Sequence, residues 1–304
     1  LTGNKCLIDT FDRNFQYSVE HVALAKQADL VMVAPASANV IGKIAYGIAD
    51  DMLTTTVMAC PCKKMISPAM NHNMYHNPIV QDNIQKLERF GYEIIAPDRG
   101  MLANGDDGDG RMPEPEVLFE YILRELAFDK DLAGKKVLVT AGATMEAIDP
   151  VRYITNHSSG KMGCALAKAA MLRGAEVTLV AGHMEVLPPM FVDVVNVKSA
   201  ADMFEVVTKL APEQDIIVKA AAVADYTPVA VADNKIKKSD DDMKIELKRT
   251  QDILGYLGQH KRDGQVKTDT NVITLITEGG AVELPMMTKE EAAHRILDEL
   301  ANMI

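Results

Sequence analysis

Short apolar runs alternate with amphipathic stretches along most of this chain. Leu30-Val31-Met32-Val33-Ala34-Pro35, Lys64-Met65-Ile66-Ser67 and Tyr92-Glu93-Ile94-Ile95-Ala96-Pro97 have the length and apolar continuity of buried strands. Helical spacing follows the first of them over residues 38–46 and the second over 79–90, where Gly91 supplies a stop. Residues 100–110 are rich in glycine and aspartate and are expected to form a loop, with a helix from Glu114 to about Ala127. The pattern then restarts. Strands are expected at 137–140, 176–181, 192–197 and 215–219, and helices at 161–173 and 200–210. The end reads as a hairpin, 272–277 with 281–284 across Gly279-Gly280, and then a helix from Lys289.

Strands alternating with helices of this length imply βαβ units and parallel sheets. The expected class is α/β with two Rossmann-like domains, the first flavodoxin-like and the second with a mostly parallel sheet. The polar stretch 129–135 is the natural linker, which divides the chain into 1–130 and 131–304. A length of 304 residues suits two domains of ordinary size, and the 48% apolar content supplies their cores.

Charge and cysteine content narrow the functional classes. A net charge of −11 argues against nonspecific nucleic-acid binding, which rests on clustered Lys and Arg. No run approaches the ~20 apolar residues of a membrane span. The opening Leu1-Thr2-Gly3-Asn4-Lys5 has no charged-then-apolar leader and reads as the middle of a domain. The four cysteines, Cys6, Cys60, Cys62 and Cys164, are too few and irregular for a disulfide framework, and they fit a reducing cytoplasm. Cys60-Pro61-Cys62 has no second ligand pair near it, so zinc is not expected there. Most of the 18 Met residues read as core filler.

The most informative stretch runs from Asp149-Pro150-Val151-Arg152 through Asn156-His157-Ser158-Ser159-Gly160-Lys161-Met162-Gly163. It lies between an apolar strand and a helix, at the carboxyl edge where open α/β sheets bind ligands. Helix-start amides with Lys161 beside them suit an anion such as phosphate. Neither G-x-x-x-x-G-K-[ST] nor G-x-G-x-x-G is present, so motif reading alone ends at a nucleotide or phosphate site. Three further clusters stand at strand ends or in compact charge: Ala220-Ala221-Ala222-Val223-Ala224-Asp225-Tyr226 after Lys219, Lys235-Ile236-Lys237-Lys238, and Pro68-Ala69-Met70-Asn71-His72-Asn73-Met74. Taken singly, each has a structural use. His21 serves as well in a surface or a core, Asn71 in a turn, Asp225 at a turn start, and the lysine run on a solvated face.

Taken in order, these segments resemble the bifunctional enzymes of coenzyme A biosynthesis, phosphopantothenoylcysteine decarboxylase/phosphopantothenate–cysteine ligase, over nearly the whole chain. The first half is similar to flavin-dependent cysteine decarboxylases through Pro35-Ala36-Ser37-Ala38-Asn39 and P-x-M-N-x-x-M at residues 68–74. The resemblance implies FMN contacted by Ser37 and Asn39, substrate held by Met70 and Asn71, and His21 as the active-site histidine. The second half is similar to the CTP-dependent ligases. There the resemblance implies a CTP site at Lys219, Ala220, Ala221 and Asp225, with Lys235 on the triphosphate, Mg²⁺ beside it, and Asn156 turning over an acyl-cytidylate. The implied partners are 4′-phosphopantothenate, L-cysteine and CTP. The implied assembly is a homo-oligomer, from ligase dimers and decarboxylase trimers up to a dodecamer.

Three departures from that family pattern are visible. Family members carry a further N-terminal segment with the glycine-rich loop that receives the FMN phosphate. Asn104 stands where the family has a proton-donating cysteine, and a carboxamide is far too weak an acid for that task. Gln265-Val266 runs directly into Lys267-Thr268-Asp269, where the family has a longer flap over the CTP phosphates. The first two departures open a second reading, in which only the ligase half is active and the first half serves assembly or binding.

Overall fold

A computed structural model describes residues 6–8, 20–101, 105, 107–238, 242–259, 274–277, 280–283 and 287–301. The chain divides into two compact units, Leu1–Leu126 and Ala127–Ile304.

In the first unit the order is α1 (Glu20–Gln27), β1 (Leu30–Ala36), α2 (Ala38–Ala45), α3 (Met52–Ala59), β2 (Lys63–Pro68), α4 (His72–Tyr75), α5 (Pro78–Arg89), β3 (Glu93–Ile94), β4 (Asp98–Met101), β5 (Asp107–Arg111) and α6 (Pro115–Leu126). Strands β1, β2 and β3 form a parallel sheet in that order. Alternate residues of β1 serve two cores. Val31 and Val33 pack with Ile41, Ile44, Val57, Ile84 and Leu87, whereas Leu30 and Met32 pack with Met65, Ile95 and Leu118. A strand covered on both faces has no polar side to show, which is why its sequence is an unbroken apolar run.

Three expectations need correction here. The third strand shrinks to Glu93–Ile94. Helices α1 and α3 were not visible in the pattern; the capping box of Asp51 with Thr54 starts α3, and its signal is chemical rather than periodic. The glycine-rich stretch at 100–110 is not a simple loop, because β4 and β5 pair antiparallel there. Its glycines have a tertiary cause. A Cβ on Gly108 would lie 2.9 Å from the His72 ring, and one on Gly110 would lie 2.1 Å from the Met70 carbonyl oxygen. The strand lies too close to another backbone to carry side chains at those positions.

The second unit contains β6 (Lys136–Ala141), β7 (Met145–Ala147), β8 (Tyr153–Thr155), α7 (Lys161–Leu172), β9 (Glu176–Ala181), β10 (Asp193–Asn196), α8 (Ala200–Leu210), β11 (Ile216–Lys219), β12 (Tyr226–Pro228), β13 (Leu247–Arg249), α9 (Ile253–Gln259), β14 (Thr274–Thr277), β15 (Gly280–Glu283) and α10 (Lys289–Ala301), with a 3₁₀ turn at Ala211–Glu213. Four parallel strands stand in the order β10-β9-β6-β11. The first strand of this unit is therefore central, and the winding reverses between β6 and β11. One face of the sheet packs Leu138 and Val180 on Met203, Val207 and Ile253 of α8 and α9. On α7, Leu166, Ala167, Ala169 and Ala170 are buried, and α10 packs against that helix. Gly163 lets α7 approach β6: a Cβ there would lie 2.4 Å from the Ala141 Cβ. The expected hairpin appears as β14 paired with β15; residues 272, 273 and 284 lie outside the described residues.

The stretch 129–135 packs onto the second unit. Leu132 is fully buried and donates to the Arg173 carbonyl at 3.0 Å. The Arg173 guanidinium is paired with Asp131 and, at 2.8 Å, with Asp298 of α10. No helix among the described residues is long and apolar enough to cross a membrane.

Candidate functional site

The winding reversal between β6 and β11 is where an open α/β sheet leaves a crevice at the carboxyl ends of its strands. A cleft of about 450 Å³ lies at the carboxyl end of β11, lined by Lys219, Ala224, Asp225, Arg249, Thr250 and Asp252 among others. The volume falls within the usual range of small-ligand sites. Of the residues expected to hold a nucleotide, Lys219 and Asp225 line this cleft. Ala220 and Ala221, expected with them, are not in its lining; both donate backbone N–H to Thr140 Oγ1 at 3.2 Å.

Buried hydroxyls hold the walls. Thr140 and Thr144 are completely buried, and Thr144 Oγ1 accepts from Ala224 N at 2.9 Å. Thr250 Oγ1 donates to the Ala224 carbonyl at 2.7 Å, and its N–H donates to the Asp225 carbonyl. Each bond satisfies a backbone group that leaves the sheet ladder where β11 ends. Asp225 is thus presented from a segment tied at both sides.

The polar stretch after β6 is not one loop, as expected, but contains the antiparallel pair β7–β8. That pair carries Asn156, which is not itself in the lining, to a residue of the cleft wall: its Nδ2 lies 3.4 Å from the carbonyl oxygens of both Ala222 and Val223, and Val223 lines the cleft. Carbonyls only accept, so the NH₂ end must face them. Both bonds are long, which leaves this donor able to turn toward a better acceptor. Glu146 is buried in β7 and accepts from Ala200 N at 2.8 Å, so the start of α8 anchors the same pair. Helix α7 begins at Gly160 in the left-handed region with no side-chain cap, so its first N–H groups keep their donors.

Lys235 is exposed and is not among the residues lining the cleft. Its neighbour is firmly held. Asp149, which is buried, accepts from Ile236 N at 3.1 Å, from the backbone of Val151 and Arg152, and from the Arg152 guanidinium at 2.5 Å. Arg152 in turn donates to the Ile236 carbonyl at 3.0 Å. The guanidinium and these N–H donors hold the Asp149 carboxyl far below the usual carboxylate range.

The first unit brings Ser37, Asn39, Met70 and Asn71 to the ends of β1 and β2. Ser37 is the N-cap of α2 and accepts from Val40 N at 3.4 Å, with Asn39 exposed on the first turn. Asn71 caps α4, its side chain accepting from Asn73 N at 2.9 Å, and Met70 N–H donates to the Gly110 carbonyl at 3.0 Å. His21 lies on α1 and is partly buried. Asn104 lies outside the described residues, as do the junction at Gln265–Lys267 and the segment before Cys6.

Sequence reading missed Arg249, Thr250, Thr140 and Thr144. Arg249-Thr250 follow a short strand with no periodic signal, and a buried threonine looks like any strand residue until its partner is known. It also passed over His72 and His76, whose four-residue spacing puts both on one side of a helical turn.

A family model described as "Flavoprotein" matches residues 1–127, and one described as "DNA/pantothenate metabolism flavoprotein C-terminal domain" matches residues 132–267. The chain is 42% identical over 343 residues to the coenzyme A biosynthesis bifunctional protein CoaBC of Bacillus subtilis, covering 99% of this chain and 84% of that one. It is 43% identical over 261 residues to the protein of the same name from Haemophilus influenzae, covering 86% of this chain and 65% of the relative. A crystal structure of the C-terminal domain of a CoaBC protein superposes with a TM-score of 0.51 at 39% identity, over 58% of this chain and 98% of that domain.

Proposed function

Because the chain belongs to the family of bifunctional coenzyme A biosynthesis proteins, with a flavoprotein domain followed by a pantothenate-metabolism domain, we propose that it makes and then decarboxylates 4′-phosphopantothenoylcysteine. In the second unit the carboxylate of 4′-phosphopantothenate attacks CTP, giving an acyl-cytidylate and pyrophosphate. The amine of cysteine then displaces CMP. The observation that carries this reading is the cleft at the carboxyl end of β11, lined by Lys219 and Asp225, with Asn156 hydrogen-bonded to the Val223 carbonyl of its lining.

An anionic nucleophile meeting a triphosphate needs cations and aligned donors more than acids or bases. Lys219 and Arg249 supply positive charge in the cleft, and Lys235 lies beside the segment that Asp149 and Arg152 hold. Asp225 accepts from the nucleoside portion of CTP. Asp252, also in the lining, would offer oxygen to a Mg²⁺ arriving with the triphosphate, which would neutralise phosphate charge. Asn156 turns its NH₂ from the Ala222 and Val223 carbonyls to the oxyanion that forms as cysteine attacks.

In the first unit the polar groups at the ends of β1 and β2 fit a flavin and a carboxylate. Ser37 and Asn39 would hold FMN at the start of α2, and Met70 and Asn71 would hold the substrate, with Asn71 on its carboxylate and His21 at the same site. FMN, when bound, supplies the two-electron oxidation of the cysteinyl thiol that makes loss of CO₂ possible. With Asn104 in place of an acidic thiol, the last protonation lacks its donor, so the decarboxylated product stalls as the aminoenethiol.

The test supplies the chain with 4′-phosphopantothenate, cysteine, CTP and Mg²⁺ and follows CMP, CO₂ and thiol products by mass spectrometry. Asn156→Asp is expected to lower CMP release by roughly 10²–10³-fold, the usual cost of one oxyanion donor. It should leave a single turnover of pyrophosphate. No CMP from folded protein overturns the ligase assignment. Free 4′-phosphopantetheine at multiple turnovers overturns the stall at Asn104.

A further inference from the structure

The hairpin strand β5 and the short helix α4 bring together a side-chain cluster that the coenzyme A chemistry does not use. His72 and His76 are four residues apart, and their rings stand 4.4 Å apart between centroids. Asp109 of β5 reaches both: its Oδ2 lies 2.9 Å from His76 Nε2 and 4.0 Å from His72 Nδ1. One ligand atom from each of the three falls within 4.8 Å of the others. We infer that His72, His76 and Asp109 form a binding site for a divalent transition-metal ion of the zinc type, which ties the β4–β5 hairpin to the turn carrying Met70 and Asn71.

The donor set points to this class of ion. Two imidazoles and one carboxylate suit Zn²⁺, Ni²⁺ or Cu²⁺, whereas Mg²⁺ and Ca²⁺ take oxygen donors. Three protein ligands leave a fourth position for water. Tetrahedral zinc with bonds near 2.0 Å sets its ligand atoms about 3.3 Å apart, so the side chains need shift by roughly an ångström or less. All three are about half exposed and free to make that shift. The ion replaces the His76–Asp109 hydrogen bond and the weaker bond that His72 Nδ1 accepts from Asp109 N at 3.1 Å.

The frame around the cluster is already set. Asn71 and Asn77 cap the helical turns on either side, and Met70 N–H donates to the Gly110 carbonyl. Gly108 and Gly110 allow β5 to lie against residues 70–72. Among the described residues, the ionic partners of Asp109 are these two histidines; Arg111 pairs with Glu114 and Arg99 with Asp107. Among the described residues, no lysine or arginine competes with a cation for its carboxylate.

The test is titration of the full chain with ZnCl₂ by calorimetry, and with CoCl₂ by absorption spectroscopy. One tight equivalent is expected, and the cobalt form should show d–d bands without a thiolate charge-transfer band. His76→Ala and Asp109→Asn should each weaken zinc by more than the ~10–100-fold that loss of an outer-shell partner costs. Cys62→Ser should bind as the parent does, which separates this site from the Cys60-Pro61-Cys62 thiols. Circular dichroism of each variant verifies that it is folded. No tight equivalent, a thiolate band, or unchanged affinity in folded His76→Ala and Asp109→Asn would overturn the site.

Discussion

The two units place their candidate sites on different kinds of support. In the second unit, buried side chains hold the cleft and the segments next to it: Thr144 holds Ala224 of the lining, Thr140 holds Ala220 and Ala221, and Glu146 and Asp149 hold Ala200 and Ile236 outside it. In the first unit, the corresponding residues are local caps on short turns, with Ser37 exposed and Asn71 partly so. A bond to a buried group has no water to replace it, whereas an exposed cap exchanges with solvent at little cost. The second site is therefore expected to be stiff without its substrates. The first depends on what binds it.

The comparison can be tested most severely at Gly163. Valine there must displace either α7 or β6, because its Cβ alone would stand 2.4 Å from that of Ala141. We expect a loss on the order of 3 kcal/mol. In melting temperature that is roughly 6–12 °C for a unit of this size, read by calorimetry. A melting point within a degree of the parent would show that the helix is not seated as described. Thr144→Val keeps the shape but leaves Ala224 N–H buried without its acceptor. It should cost about 2 kcal/mol in urea unfolding, and a neutral result would remove the buried-hydroxyl argument.

Smaller effects sharpen the contrast. Thr250→Val removes one bond, to the Ala224 carbonyl, at a cost of about 1 kcal/mol with a raised KM for CTP. An unchanged KM would detach Thr250 from the site. Ser37→Ala, at an exposed cap with a 3.4 Å bond, should cost only about 0.5 kcal/mol while lowering flavin retention in the purified protein. If stability falls sharply, the first site is as rigid as the second.

The smallest effect is acid dependence at Asp51, the α3 cap, whose carboxyl is drawn down to about 2 chiefly by the Thr54 backbone N–H, with Lys43 contributing. The unfolded value is near 3.9, so the folded state favours the ionised form. Its stabilisation is complete above about pH 4 and is lost as pH falls through about 2. Asp51→Asn should flatten this part of a melting-temperature profile; an identical profile would refute the cap's role.

Much of this was legible in one dimension. Strand β9 and helix α8 fall on the expected 176–181 and 200–210, because each is a regular element whose burial pattern matches its period. The ligase-like stretch ending at Gly163 was readable because its polar residues crowd between a strand and a helix. Short elements were not. The β7–β8 and β12–β13 pairs have three residues per strand, too few for any period to show. Arg249 and Thr250 went unseen for the same reason.

What the sequence determined by itself is the alternation of strands and helices, the carboxyl-edge position of Asn156 and Asp225, and the motif order that points to the family. Those follow from periodicity and from residue type along the chain. The tertiary structure alone decided the strand order β10-β9-β6-β11, the cleft at the end of β11, and that Thr140 and Thr144 pin residues some 80 positions away. It also decided that Asp109 meets His72 and His76 across 33 residues or more of chain. Such contacts depend on which backbones pack face to face, and no spacing in the sequence encodes that distance.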